Sequence, residues 1–213
     1  MPARIAGILV VCTLSLTAAG TAAAQTDEPI GRFVVDARGT LARFKGNAEI
    51  AGPIGADAES LPTRGLGFDV GAHVYPLRRG GFALGLGAEL VAARDSRTAE
   101  ATTQVPSPPT VTTRFSALAP QVSLNFGKRD GYSYLSGGLG TARLTSDTDT
   151  IAGSEGRVGM MHYGGGARWF TGPHVAFTFD VRFYTVNARE PEGAAPGYPK
   201  TRMMVISAGV SFR

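Results

Sequence analysis

The sequence predicts an all-β fold, a single eight-stranded antiparallel up-and-down barrel occupying residues 25–213. Three observations predict it. Apolar residues recur with period two through eight segments, the mark of strands with one apolar and one polar face. The connections between those segments alternate strictly between short and long. After residue 24 no apolar run approaches the ~20 residues of a membrane-crossing helix, so any passage through a membrane has to be made by strands closed into a barrel.

Residues 1–24 are expected to lie outside the fold. Arg4 precedes an apolar stretch from Ile5 to Leu16, and small residues from Ala18 to Ala24 end in an Ala-x-Ala-like site before Gln25. That is the layout of a signal peptide removed after export. Cys12 follows Leu9-Val10-Val11, but Val11 is too bulky for a lipidation site and little apolar sequence precedes it. Cys12 is the only cysteine, so the exported barrel has to be stable without a disulfide. The chain's net charge of +4 is too mild to suggest nucleic acid.

The first strand is read at Phe33–Arg43, diluted by glycine. The second sets Leu66, Phe68, Val70, Ala72 and Val74 against Gly67, Asp69, Gly71, His73 and Tyr75. The third sets Phe82, Leu84, Leu86, Ala88 and Leu90 against Ala83, Gly85, Gly87 and Glu89. The fourth spans about Arg114–Phe126, with Pro120 on its apolar face, where a bulge is expected because proline cannot donate to a ladder. The fifth (Tyr132–Arg143) and sixth (Arg157–Phe170) are again glycine-rich. The seventh alternates Val175, Phe177, Phe179, Val181 and Phe183 with Thr178, Asp180 and Arg182. The eighth alternates Met204, Ile206, Ala208, Val210 and Phe212 with Val205, Ser207, Gly209 and Ser211. An even count suits a bacterial outer-membrane barrel.

Leu77–Gly81, Gly127–Gly131 and Thr171–His174 form tight connections in which glycine or proline supplies the turn. The other connections, about Phe44–Thr63, Asp95–Thr113, Leu144–Gly156 and Glu190–Thr201, are long and polar. Short turns inside and long loops outside are the asymmetry of a transmembrane barrel, and place both termini on the periplasmic side.

Period two does not say which face looks outward. A soluble lipocalin-like barrel hides its apolar face around a ligand. The polar face here carries Asp36, Arg38, Asp69, His73, Glu89, Arg168, Asp180 and Arg182, charges that can pair with one another in a narrow lumen. Aromatic residues collect near the short turns: Phe33, Tyr75, Phe82, Phe126, Tyr132, Trp169, Phe170 and Phe212. Such girdles mark a membrane interface. Arg43, Arg64, Arg94, Arg114, Arg143, Arg157, Arg189 and Arg202 bracket the long loops, all with the parity of the apolar face. An arginine there lays its stem along acyl chains and its guanidinium among phosphates. The apolar face is therefore expected outside.

The segment from Gly164 to Tyr184, Gly-Gly-Gly-Ala-Arg-Trp-Phe-Thr-Gly-Pro-His-Val-Ala-Phe-Thr-Phe-Asp-Val-Arg-Phe-Tyr, resembles the penultimate hairpin of small outer-membrane barrels of the OmpA/OmpX-like group. Leu135-Ser-Gly-Gly-Leu-Gly140 is a second, vaguer likeness. The resemblance implies insertion by the barrel-assembly machinery, which reads a terminal aromatic residue; here Arg213 follows Phe212. The sequence ends with the barrel, so the peptidoglycan-binding domain that some relatives carry after it is not expected.

Eight strands enclose a lumen that side chains fill, unlike a porin channel, and inward glycines (Gly85, Gly87, Gly138, Gly140, Gly164, Gly166) are expected to leave gaps in it. Of the three histidines, His73 and His162 are read as inward and His174 as lying in a turn. His162 could meet a loop serine such as Ser154, yet no spacing forms a nucleophile–base–acid set. Asp147, Asp149 and Glu155 are oxygen ligands of the kind Ca²⁺ takes, although three acids among flexible neighbours suit a solvated loop equally well. Few loop aromatics, Tyr198 apart, are available to anchor a partner surface. The expectation is a non-enzymatic, monomeric outer-membrane barrel with no cofactor, metal or nucleic acid. Its role is structural or surface-interactive, with lipid and lipopolysaccharide phosphates as partners of the arginines. A lipid A-modifying enzyme and a narrow channel are the alternatives.

Overall fold

Eight strands form where the period-two stretches lie, and each neighbour supplies the hydrogen bonds that a lone strand lacks. The computed structural model describes residues 28–46, 48–98, 108–153, 155–193 and 195–213. The expected signal peptide, residues 99–107 of the second long connection, and Ser154 lie outside them. The strands are β1 (Phe33–Arg43), β2 (Arg64–Arg79), β3 (Phe82–Thr98), β4 (Thr110–Lys128), β5 (Gly131–Asp147), β6 (Val158–Phe170), β7 (Val175–Val186) and β8 (Thr201–Phe212). They pair antiparallel in chain order, and β1 closes on β8 from Val35↔Phe212 to Arg43↔Met204, so the sheet has no free edge.

Two of the three tight connections are shorter than expected, and the third is Thr171–His174 as read. β2 and β3 continue to Arg79 and Phe82, leaving Gly80 at φ 55° to make the turn; glycine adopts that left-handed conformation at no steric cost. At the opposite, loop end, β3, β4 and β5 run on to Thr98, Thr110 and Asp147, so the second long connection begins after Thr98 rather than at Asp95, while β2 begins at Arg64 as expected. The first long connection holds a short helix, α1 (Ala48–Ala51), and two 3-10 turns at Gly52–Ile54 and Ala58–Ser60.

The apolar face is the outer one. Leu66 is 73 % exposed and Leu139 74 %, and Phe33, Phe68, Leu90, Phe126, Leu135 and Phe212 stand out beside them. A wall of this kind is unfavourable in water and favourable in hydrocarbon.

One backbone expectation is corrected. No bulge occurs at Pro120: β3 and β4 stay in unbroken register from Phe82↔Phe126 to Thr98↔Thr110. Against β5, pairing stops at Leu118↔Thr141 and resumes in the same register at Val122↔Gly137. The register shift lies in β2 instead, between Val74 and Leu77 opposite β3, where Pro76 sits. There the extra residue turns the strand toward its hairpin.

The lumen is not uniformly polar as expected; it is built in three storeys. At the turn end, Ile30, Val34, Tyr75, Ala83 and Tyr132 pack together with Phe170 against them. The charged residues fill the middle. At the loop end, Val91, Val111, Phe115, Leu144, Met160 and Val205 form an apolar storey, closed by Phe44, Ile50, Ile54 and Leu61 from the first long connection. Tyr75, Tyr132 and Phe170 therefore do not belong to the outward girdle. Each shares parity with an inward neighbour (His73, Tyr134 and Arg168), and Tyr75 and Tyr132 are only 3 % and 5 % exposed. Phe33, Phe82, Phe126, Trp169 and Phe212 do face outward, with Phe177 stacked on Trp169.

Candidate functional site

Two groups of charged residues carry chemistry: the network in the lumen and the arginines at the loop end. In the lumen, β1 and β2 place Arg38 opposite Asp69 and Asp36 opposite Gly71. The missing side chain at Gly71 makes room for Glu89, whose Cγ lies 2.9 Å from where a Cβ would stand. Arg38 donates from Nη2 to Glu89 Oε1 at 2.7 Å, lies 2.9 Å from Asp69 Oδ2, and donates from Nη1 to the Tyr134 hydroxyl at 3.1 Å. Tyr134 in turn donates to Asp180 Oδ2 at 2.7 Å.

Arg182 holds both oxygens of Asp180, at 3.2 and 3.0 Å, and donates to Gln121 Oε1 at 2.6 Å and to Glu89 at 3.3 Å. Arg168 forks onto Asp36 at 2.9 and 2.5 Å, with its guanidinium 4.3 Å from the centre of the Tyr134 ring; Ser211 also donates to Asp36. All eight expected lumen residues are thus buried and in one connected network, where pairing offsets the cost of removing charge from water.

The inward glycines are not gaps. A Cβ at Gly87 would lie 2.4 Å from His73 Nδ1, at Gly166 2.7 Å from the Tyr134 hydroxyl, and at Gly140 3.0 Å from Met160 Cε. Each glycine is the seat of a neighbour's large side chain. Gly138 seats His162, which bridges the interrupted β4–β5 ladder: its Nε2 lies 2.9 Å from the Pro120 carbonyl. Because Arg182 can only donate to His162 Nδ1, at 3.3 Å, that ring carries its proton on Nε2 and gives it to Pro120.

Asp36, His73 and Glu89 each bring one potential metal ligand within 4.8 Å of the others, a grouping that sequence spacing did not reveal. Both carboxylates already hold guanidinium groups, so a divalent cation there would face Arg168, Arg38 and Arg182. Nor is this a hydrolytic triad. Ser211 and His73 both approach Asp36, the latter at 3.2 Å. The acid stands between hydroxyl and imidazole, whereas nucleophile activation needs the imidazole in the middle. His174 Nδ1 lies 3.2 Å from the Arg213 carbonyl.

The loop-end arginines are brought together as a ring, with one exception. Arg43, Arg64, Arg94, Arg114, Arg143, Arg157 and Arg202 all have outward parity, Arg157 just ahead of β6. Register sets Arg43 directly opposite Arg64 and Arg94 directly opposite Arg114. Arg43, Arg64, Arg94 and Arg202 make no ion pair among the described residues. Arg114 pairs with Asp147, Arg143 lies 3.7 Å from Glu155, and Arg157 donates to Thr141 Oγ1 at 3.3 Å.

Arg189 is the exception and leaves the ring. β7 ends at Val186, and Arg189 donates instead to the carbonyls of Gly156 at 2.7 Å and Leu144 at 3.2 Å. The acids weighed for calcium do not converge either. Asp147 takes Arg114 and the Gly153 amide, Asp149 lies 3.4 Å from the Thr110 amide, and Glu155 faces Arg143.

Arg213, the departure from a terminal aromatic, is tied in at the turn end. Its guanidinium sits 3.7 Å over the Phe170 ring, Nε donates to Pro173 O at 2.8 Å, and Nη1 donates to Arg129 O. Arg129 pairs with Glu28.

Comparison with curated proteins finds no match. Among solved structures, Neisserial surface protein A superposes with a TM-score of 0.52 at 13% identity, covering 84% of this chain and 96% of its own. Ail, the attachment invasion locus protein of Yersinia pestis, gives 0.51 at 12%, covering 86% and 98%. The outer membrane protein OprG of Pseudomonas aeruginosa gives 0.51 at 12%, covering 88% and 98%. At such identities the likeness is one of fold. The outward apolar wall, the closed eight-stranded sheet and a match to the outer membrane protein β-barrel domain over residues 9–213 agree, and the chain belongs to that family of bacterial outer-membrane barrels.

Proposed function

We propose that the protein is a non-enzymatic barrel with a structural and surface-interacting role, whose outward arginine ring holds phosphates of lipopolysaccharide in the outer leaflet. In this reading residues 1–24 direct export and are removed, the short turns and both termini face the periplasm, and the long loops face outside. Lipid is then the main partner. The barrel inserts through the assembly machinery as a monomer, its closed sheet needing no second copy.

One observation carries the phosphate reading: Arg43 facing Arg64 and Arg94 facing Arg114 in cross-strand register on an outward surface. Like charges directly opposite in a sheet are destabilising. An anion with several acceptor oxygens placed between two guanidiniums reverses the sign of that interaction. The aromatic side chains at the opposite end and the Leu and Phe rows between them support a position for this ring at the boundary where such anions lie.

The test is a barrel in which R43Q, R64Q, R94Q and R114Q are combined, purified beside the wild type from the same cells. The variant is expected to retain at least several-fold less lipopolysaccharide; unchanged retention overturns the reading. The enzymatic alternative has its own check in the mass spectrum of lipid A from cells with and without the gene. An altered acylation pattern would displace the scaffold reading.

A further inference from the structure

Around the ring the wall is not level. Across β2–β5, one row of outward residues runs Leu66–Arg94–Arg114–Thr145, and the row below it Phe68–Ala92–Ser116–Arg143. Below that come Val70, Leu90, Leu118 and Thr141. Ala92 and Ser116 stand side by side as a shallow saddle between the larger Phe68 and Arg143, directly under the paired Arg94 and Arg114.

The β5–β6 connection folds back over the outer face beside it. Thr145 has outward parity yet is buried, and Gly153 is held on Asp147 Oδ1 at 2.8 Å. Between the saddle and this connection lies a cleft of about 720 Å³, which includes Leu66, Phe68, Arg94, Arg114 and Arg143 in its lining and does not reach Arg43 or Arg64.

We propose that this cleft seats one molecule of a phosphorylated, acylated outer-leaflet lipid, with a phosphate among Arg94, Arg114 and Arg143 and an acyl chain along Leu66, Phe68 and Ala92. This rests on the phosphate reading of the ring and adds a place and a stoichiometry to it. Charge and polarity are complementary across the cleft: the apolar Leu66 and Phe68 stand on its β2 side and the guanidiniums on β3, β4 and β5. The volume is that of a ligand pocket.

Two of the three guanidiniums already hold anionic oxygens of the protein itself, Arg114 the carboxylate of Asp147 and Arg143 that of Glu155. Those carboxylates occupy the places of phosphate oxygens. Arg94 has no partner among the described residues and is the open position. A lipid phosphate enters at Arg94 and competes with Asp147 and Glu155 for the other two.

Native mass spectrometry of the full barrel, refolded in mild detergent with diphosphoryl lipid A, tests this. The wild type is expected to hold one lipid A per barrel. R94Q/R114Q, and A92W, which fills the saddle without touching a charge, are expected to lower that one-to-one species at least tenfold, while R43Q/R64Q leaves it unchanged. Equal losses in both arginine pairs, with A92W unaffected, overturn the seat and leave the ring standing. No loss in any variant overturns both.

Should R94Q/R114Q or A92W fail to show the folded band on an unboiled gel, D147N/E155Q decides instead. It keeps the Gly153 hydrogen-bond acceptor while releasing Arg114 and Arg143. A raised one-to-one population supports the seat, and an unchanged one overturns it.

Discussion

Replacing Arg168 with methionine tests whether the lumen is held by specific ion pairs or merely filled by side chains. Arg168 is 1 % exposed, and its fork onto Asp36 spans 2.9 and 2.5 Å. With the guanidinium gone, Asp36 keeps only Ser211 and the His73 ring at 3.2 Å. Stranding one partner of a buried pair costs about 3–5 kcal/mol. Losing the cation stacked over Tyr134 adds about 0.5–2 kcal/mol more. At about 1.4 kcal/mol per decade, R168M should lower the folding equilibrium constant by at least roughly two decades. Adding D36N removes the stranded charge, so the double variant should be more stable than the sum of the two single losses by about 2 kcal/mol. Urea titration of barrels refolded into lipid vesicles, read from the folded and unfolded bands of unboiled gels, gives all four corners of the cycle. A loss below about 1 kcal/mol for R168M, or strict additivity in the double variant, would refute the ion-pair account.

The glycine seats predict a contrast. G138A puts a Cβ 2.0 Å from the Pro120 carbonyl and 3.0 Å from His162 Nε2, and should cost about 1–3 kcal/mol, whereas G172A meets nothing within 4 Å and should be near neutral in the same titration. In the fourth connection, burial pushes the Tyr198 phenol up to about 12. The neutral form is therefore favoured in the folded state; its contribution is intact below pH ~10 and is lost as pH rises from there toward the folded value. Y198F should accordingly lose up to about 2 kcal/mol less stability than the wild type between pH 9 and 12. R189A should lower stability by about 1–3 kcal/mol through its lost carbonyl bonds. Its lipopolysaccharide retention should stay at the wild-type level, which separates Arg189 from the seven outward arginines.

The strands and the direction of the sheet were legible because both depend on period two, and period two survives glycine dilution even in β6. Parity also located the buried charges, since a charged residue between two apolar ones on a barrel wall has one side to go to. Two things were hidden by reading position in place of parity. Tyr75, Tyr132 and Phe170 lie near turns like the true girdle residues, yet counting by twos from His73, Tyr134 and Arg168 already turns them inward. Val91, Phe115, Leu144 and Met160 continue the inward rows of their own strands at the loop end, apolar residues on a face read as polar throughout, so the apolar storey went unseen. The folding of the β5–β6 connection over the outer wall, and the departure of Arg189 into backbone carbonyls, depend on where strands stop. No periodic signal encodes that.

The same residue type does two kinds of work in this barrel, and the difference lies in what stands opposite. Inside, Arg38, Arg168 and Arg182 each face carboxylates at hydrogen-bond distance, as burial demands, because an unpaired charge there has no solvent to fall back on. Outside, Arg43 faces Arg64 and Arg94 faces Arg114, an arrangement that carboxylates among the described residues relieve only at Arg114. If water alone met that ring, screening would make its charges nearly neutral to stability, and swapping R43E into the Arg43–Arg64 pair would gain a few tenths of a kcal/mol by creating an opposite-charge pair. If lipid phosphates meet it, R43E places a carboxylate against them and stability in anionic outer-leaflet lipid falls, while stability in zwitterionic detergent rises. The sign of that difference, measured on one variant in two solvents, separates an arginine ring built for a membrane surface from one that is merely tolerated there.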